Sequence, residues 1–82
     1  MSKAFELAIA MQEEAKRAVK LHGDFNSLHE AYAVILEELD EIWDIVKLKA
    51  GERNIVDLRK ELIQLGAMCT KTIDYIDKGK YI

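Results

Sequence analysis

The sequence predicts an all-α fold of three long helices, and three observations support this prediction. The 82 residues contain no Pro, the residue that most strongly breaks helices, and four Gly that divide the chain into segments. Apolar residues recur at intervals of three and four within each segment, which is the spacing of one helical face. No segment shows the alternating pattern of a strand. We therefore expect a single all-α domain over residues 1–82.

The first helix is predicted over residues 2–22. Its apolar residues form one narrow face and nearly everything else is polar, which is typical of an amphipathic surface helix. Gly23 follows directly and is expected to end the helix in the left-handed conformation. The apolar face consists of Phe5, Ala8, Ile9, Ala15 and Val19.

The second helix is predicted over residues 28–49. Ser27 is expected to cap its first turn, and Glu30 completes a capping box with Ser27. Lys47 and Lys49 fall in the predicted last turn, where cations favour the negative end of the helix dipole. The predicted buried stripe, flanked by further apolar residues such as Trp43, consists of Leu28, Tyr32, Ile35, Leu39, Ile42 and Val46.

The third helix is predicted over residues 55–78, with Asn54 as its N-cap and Asp57 at the third helical position. Gly66 lies in the middle of this helix, where it permits close packing or is simply tolerated. Gly51 and Gly79 are expected to be left-handed, as Gly23 is. The predicted apolar stripe contains Ile55, Leu58, Leu62, Leu65, Cys69, either Thr72 or Ile73, and Ile76.

These apolar faces are wider than three helices need to cover one another. A chain of this length also buries a smaller fraction of its surface than a larger domain does. We therefore expect the three-helix unit to assemble into a four-helix-type bundle by oligomerisation, as a homodimer or homotetramer.

Composition excludes several classes of function. A single Cys cannot form a disulfide within the chain, which favours a reducing compartment such as the cytoplasm. No apolar run approaches the roughly 18 residues of a membrane span, and the N-terminus lacks a signal-peptide pattern. The net charge of −3 argues against binding to a nucleic acid polymer. We expect no membrane or nucleic acid partner.

The negative charge is concentrated in one segment. Residues 27–46 contain six acids and no Lys or Arg, so the rest of the chain is net positive. Glu38 and Glu41 are three residues apart and share a helical face, and Glu61 and Gln64 repeat that step on the third helix. If the two helices are neighbours, these oxygens converge on one site. Carboxylates packed together repel one another unless a cation neutralises them, and all-oxygen ligands favour Mg²⁺ or Mn²⁺.

A solvated helical surface is the alternative interpretation, because acids are common on exposed helices. Such a surface normally interleaves Lys or Arg with the acids at helical spacing, and this cluster does not.

The motif Glu37-Glu38-x-x-Glu41, followed by Glu61-x-x-Gln64, resembles the signature of the MazG-like nucleoside triphosphate pyrophosphohydrolases, an all-α family. The resemblance extends from about Phe25 to Ile76. It implies Mg²⁺-dependent (or Mn²⁺-dependent) hydrolysis of a nucleoside or deoxynucleoside triphosphate to the monophosphate and pyrophosphate. The family pattern has Asp where this chain has Gln64.

The resemblance implies a role for each acid of the motif. Glu38, Glu41 and Glu61 would bind the metal, with the uncharged Gln64 as a weaker ligand. Glu37 would bind a second metal or orient the attacking water. Four cations are candidates for the substrate phosphates, each with a solvated surface or a helix end as the alternative: Lys47, Lys49, Arg53 and Lys71.

Two other functions remain open. The chain is a non-catalytic MazG-like assembly or nucleotide-binding module if Gln64 has abolished the chemistry, or a plain helical dimerisation module. Phe25, Tyr32 and Trp43 are candidates for stacking on a base. For Tyr32 and Trp43, the position beside apolar residues favours core or dimer packing instead.

Overall fold

The computed structural model describes residues 2–82, and it confirms the all-α prediction. Its helices are α1 (Lys3–His22), α2 (Leu28–Val46) and α3 (Ile55–Asp77), with a short 3₁₀ turn at Ala50–Glu52 between α2 and α3. Over the described part of the chain no strand occurs. The predicted starts of α2 and α3 agree with the structure.

The longest helix, α3, is the centre of the fold, because both α1 and α2 pack against it. The molecule measures 45 × 33 × 19 Å, so its thinnest dimension is about two helix diameters. Phe25, in the connection between α1 and α2, is buried and meets the ring of Tyr75 edge-on at a centroid distance of 6.4 Å. This aromatic contact packs the connection between α1 and α2 against the second half of α3.

The predicted N-caps are present. The Ser27 hydroxyl accepts a hydrogen bond from the Glu30 N–H at 3.0 Å, and the Asn54 side chain accepts one from the Asp57 N–H at 3.1 Å. The reciprocal half of the capping box differs from the prediction. The Glu30 carboxylate accepts from the backbone N–H and the side-chain amide of Asn26, one residue before Ser27.

The prediction for the end of α2 was wrong by three residues. The helix ends at Val46 rather than at residue 49, so Lys47 and Lys49 lie beyond its last turn. The reason is a long-range cap: the Arg53 guanidinium donates two hydrogen bonds to the Val46 carbonyl, at 2.7 and 3.0 Å. A side chain from the following turn thereby satisfies a carbonyl that a longer helix would have paired.

Two of the three expected left-handed glycines are confirmed, since Gly23 has φ +76° and Gly79 has φ +71°. The prediction for Gly51 was wrong, because this residue lies inside the 3₁₀ turn. Gly66 is a packing site: a Cβ at this position would lie 2.9 Å from Met11 Cγ. The absence of a side chain therefore lets α1 approach α3 closely.

The buried face of α2 is rotated from the predicted stripe. Ala31 is buried, and Val34 and Ile35 pack beside it. Tyr32 is 68% exposed and Trp43 is 59% exposed, so neither belongs to the core of this chain. The cause is that α2 packs against one helix, α3. The apolar face of α2 is wider than this one contact, so α3 covers only part of it. An exposed stripe remains, and we call it the α2 apolar stripe: Tyr32, Leu36, Leu39 and Trp43.

A similar shift occurs on α3. Its buried residues include Ala67, Met68 and Tyr75, whereas Cys69 and Ile73 of the predicted stripe are exposed. We expected more apolar surface on the helices than one chain can bury. This holds for α2 and α3. No helix in the described part of the chain is long and apolar enough to cross a membrane.

Candidate metal centre

Three of the predicted metal ligands converge. One carboxylate oxygen from each of Glu38, Glu41 and Glu61 lies within 4.8 Å of the other two. Glu38 and Glu41 are one turn apart on α2, and Glu61 projects from the facing turn of α3. The packing of α2 against α3 thus brings Glu61 together with residues that are 20 and 23 positions before it in the sequence.

Glu38 is the most constrained acid of the three. It is partly buried, and its Oε2 atom is buried with no hydrogen-bond partner among the residues that the structure describes. Burial, followed by the neighbouring carboxyl of Glu61 and the charge of Glu41, raises the pKa of Glu38 to about 7. An unpaired buried oxygen of this kind is costly, and protonation or a bound cation would lower the cost.

Glu41 lies at the solvent side of the same cluster and is exposed. The neighbouring Glu61 carboxyl raises the pKa of Glu41, and partial desolvation adds to the shift. Two carboxyls with raised pKa values in one cluster show that the acids destabilise one another when all are ionised.

The cluster has the chemistry of a site for a hard divalent cation. Two oxygens bound to the same Mg²⁺ are at most about 4.2 Å apart. The three carboxylate oxygens lie within 4.8 Å of one another, so one ion could contact all three residues once the side chains move closer together. With three ligands from the protein, the remaining coordination positions would stay open to water or phosphate oxygens.

Glu37 stands apart from the three converging acids. It is exposed on α2 and lies outside the group of oxygens within 4.8 Å. Its charge still reaches the cluster, since it contributes to raising the pKa of Glu41. The structure places it as a neighbour of the site at the solvent side.

Gln64 contacts a residue on α1 that the sequence analysis did not single out. Its amide Nε2 donates a hydrogen bond of 2.7 Å to Oε1 of Glu14 on α1. Arg17 also donates to this oxygen, at 3.1 Å from Nε. These two donors lower the pKa of Glu14. No pattern in the sequence signals the contact, because it depends on how α1 and α3 are aligned across 50 positions.

A cleft of about 290 Å³ opens beside this contact, with walls from all three helices. Glu38 and Gln64 both line it, which places the partly buried ligand of the acid cluster next to open space. The other polar or aromatic residues that line the cleft are Glu14, Arg17, His22, Phe25, Glu30 and Lys71.

The structure does not bring the four predicted phosphate-binding cations together. Lys47 pairs with Asp44 at 2.8 Å, and Arg53 is engaged with the Val46 carbonyl. Lys49 is exposed in the connection after α2. Lys71 is far along α3 and is 5% exposed, with its ammonium 4.2 Å from the centroid of the Phe25 ring. Of the four, Lys71 is the one that lines the cleft beside Glu38.

The three candidate base-stacking residues lie in different environments. The Phe25 ring is buried between Tyr75 and the Lys71 ammonium. Tyr32 and Trp43 are exposed on α2. Phe25 therefore has a structural role, while Tyr32 and Trp43 are accessible to a partner.

Comparison of the chain with protein-family models, with curated proteins and with solved structures found no match.

Proposed function

We propose that this protein is a Mg²⁺-dependent nucleoside triphosphate pyrophosphohydrolase of the MazG-like kind. The observation that carries the proposal is the convergence of Glu38, Glu41 and Glu61, with a buried Glu38 oxygen that lacks a hydrogen-bond partner. A solvated surface of acids does not require a carboxylate to be buried beside two others. The motif resemblance supplies the reaction class.

Glu38, Glu41 and Glu61 would hold Mg²⁺ or Mn²⁺. The bound cation would neutralise charge on the phosphate oxygens and lower the pKa of a water molecule. Glu37, at the solvent side of the cluster, would orient that water for attack on the α-phosphorus. The products would be the nucleoside monophosphate and pyrophosphate.

The cleft beside Glu38 is the place where the substrate would enter. Lys71 is the best placed of the predicted cations to balance charge there, because it lines the cleft while Lys47 and Arg53 are engaged elsewhere. The burial of its ammonium makes its charge weakly screened by solvent.

The test is a panel of nucleoside and deoxynucleoside triphosphates incubated with the protein and Mg²⁺ or Mn²⁺, with pyrophosphate and monophosphate measured as products. Glu61→Gln is expected to abolish metal-dependent release, while Glu52→Gln, an exposed acid in the 3₁₀ turn, should retain it. No pyrophosphate from any nucleotide at any metal concentration would contradict the proposal.

A non-catalytic nucleotide-binding module is the second candidate. The engagement of Gln64 with Glu14 favours it, because an uncharged amide held by another side chain stands where the family pattern has an acid. Activity that appears in Gln64→Asp and is absent from the parent protein would support this alternative. Strong activity in the parent would eliminate it.

A plain helical dimerisation module makes a different prediction. It binds no metal, so its melting temperature would be the same with and without Mg²⁺. A metal site stabilises the folded protein by mass action, so our proposal predicts a rise in melting temperature with Mg²⁺. A thermal scan thus separates the two without any knowledge of the substrate.

We propose that the protein works as a homodimer or homotetramer in a reducing compartment such as the cytoplasm. The exposed α2 apolar stripe supports assembly, since a second copy would cover side chains such as Trp43 that this chain leaves in solvent. The single Cys is consistent with that compartment.

A further inference from the structure

The hydrogen bond between Glu14 and Gln64 joins α1 to α3 next to the acid cluster. At 2.7 Å it is a short contact, and the two residues are 50 positions apart. Glu14 is partly buried, with 22% of its side chain exposed, and Arg17 donates a hydrogen bond to the same oxygen. The Glu14 carboxylate is therefore fixed from two sides.

This carboxylate determines which way the Gln64 amide faces. An ionised carboxylate only accepts hydrogen bonds, so the NH₂ group of Gln64 must face Glu14. The amide oxygen is then the free group of the side chain. Gln64 is one helical turn from Glu61, and it lines the cleft that Glu38 also lines.

We propose that Glu14 is a positioning residue of the metal centre, which holds Gln64 with its amide oxygen available to the metal or to a metal-bound water. The inference rests on the proposed metal site and deepens it. It gives α1 a part in a site that the sequence assigns to α2 and α3 alone.

The arrangement also gives a physical reason for Gln at position 64. A carboxylate at this position would lie against the Glu14 carboxylate, and the two would repel each other. An amide avoids this repulsion and uses the Glu14 charge as its anchor. Glu14 then carries the negative charge, and it would contact the metal site only through Gln64.

The experiment titrates Mg²⁺ alone, without nucleotide, into the wild type and variants by calorimetry. Glu14→Gln keeps the size of the side chain but no longer forces the Gln64 amide into one orientation. We expect its Mg²⁺ affinity to fall by about 10-fold or more, as for other residues that orient ligands. Glu13→Gln is the matched control, because Glu13 is the adjacent acid and lies on the exposed side of α1.

The exchange Glu14→Gln with Gln64→Glu keeps one acid and one amide in the pair with the hydrogen bond reversed. It places a carboxylate at the position nearer the cluster, so we expect Mg²⁺ affinity at or above that of the wild type. A residue that merely ties α1 to α3 would change the melting temperature in these variants without this loss and recovery of metal affinity.

The outcomes separate the two proposals. If Glu14→Gln binds Mg²⁺ with the affinity of the wild type, or if the exchange variant binds it as weakly as Glu14→Gln, the proposed role of Glu14 is wrong. The proposed metal site is not contradicted by either result. A wild type that binds no Mg²⁺ overturns the proposed metal site itself, and the role of Glu14 with it.

Discussion

Glu38 and Glu61 face each other across the contact between α2 and α3, and the Glu61 carboxyl makes Glu38 harder to ionise. Together with Glu41 they place three carboxylate oxygens within 4.8 Å. Burial and these neighbours set the pKa of Glu38 at about 7, close to physiological pH. We therefore expect the stability of the protein to depend on pH and, if the proposed metal site is correct, on Mg²⁺.

Without metal, stability should fall as the pH rises from about 5 to 8. The folded-state pKa of Glu38 is raised above its ordinary value of 4.5, so its contribution is fully present below that value and is lost as the pH passes about 7. The lowered pKa values of Glu14, Asp24 and Glu30 act in more acidic solution and leave this window unaffected.

In EDTA, Glu38→Gln should remove most of this fall in stability with rising pH. We expect it to stabilise the metal-free protein at pH 8 by about 1 kcal/mol after allowance for partial exposure, or roughly 4–8 °C in melting temperature. Added Mg²⁺ should stabilise the wild type at pH 8 and leave the variant unchanged. Glu52→Gln is the control. If the stability of Glu38→Gln falls with pH as steeply as that of Glu52→Gln, the assignment to Glu38 is wrong.

Arg53→Gln should destabilise the fold without weakening metal binding. The change removes two hydrogen bonds to the Val46 carbonyl, for which we expect a loss of about 1–2 kcal/mol in the free energy of unfolding. Lys49→Gln, an exposed neighbour in the same connection, serves as the control and should change little. Denaturant unfolding measures the loss, and calorimetry with Mg²⁺ should give the wild-type affinity.

The same variant decides between a capping and a phosphate-binding role for Arg53. A cap alters stability and leaves KM for a nucleotide unchanged, whereas a phosphate contact alters KM. A several-fold rise in KM with unaltered unfolding would show that Arg53 serves the substrate.

Gly66→Ala should show strong coupling to Met11. In the wild-type background the new Cβ would meet the Met11 side chain at 2.9 Å, and overpacking of this kind costs about 1–3 kcal/mol. In a Met11→Ala background this contact is gone, and the better helix propensity of Ala should stabilise the protein by about 1 kcal/mol. A double-mutant cycle by denaturant unfolding measures the coupling. Additive effects of the two changes would show that Gly66 is not a packing site.

Trp43→Glu should convert the assembled protein to a monomer. Trp43 is 59% exposed at one end of the α2 apolar stripe, so a charge there would oppose burial against a second copy. Val56→Glu is the control, because Val56 is also an exposed apolar residue but lies on α3. Light scattering at micromolar concentration is the measurement. A monomeric wild type, or an oligomer that Trp43→Glu leaves intact, would contradict assembly through this surface.

Much of the fold is local and was predictable from the sequence. The N-caps at Ser27 and Asn54 act within one turn, and Gly23 ends α1 because it alone adopts the required φ without strain. The spacing of Glu38 and Glu41 on one face is likewise a property of any helix. These features depend on neighbours within four residues, so periodicity and residue type determine them.

Other features depend on contacts between distant parts of the chain. Arg53 ends α2 by reaching back seven positions, and Glu14 reaches Gln64 across 50. The side of α2 that is buried depends on which helix covers it, which a wide apolar face leaves open. Periodicity and residue type predict three helices and predict that Glu38, Glu41 and Glu61 share a potential site. The packing of α2 against α3 brings their oxygens together, because the alignment of two helices depends on contacts between residues far apart in the sequence that no local pattern encodes.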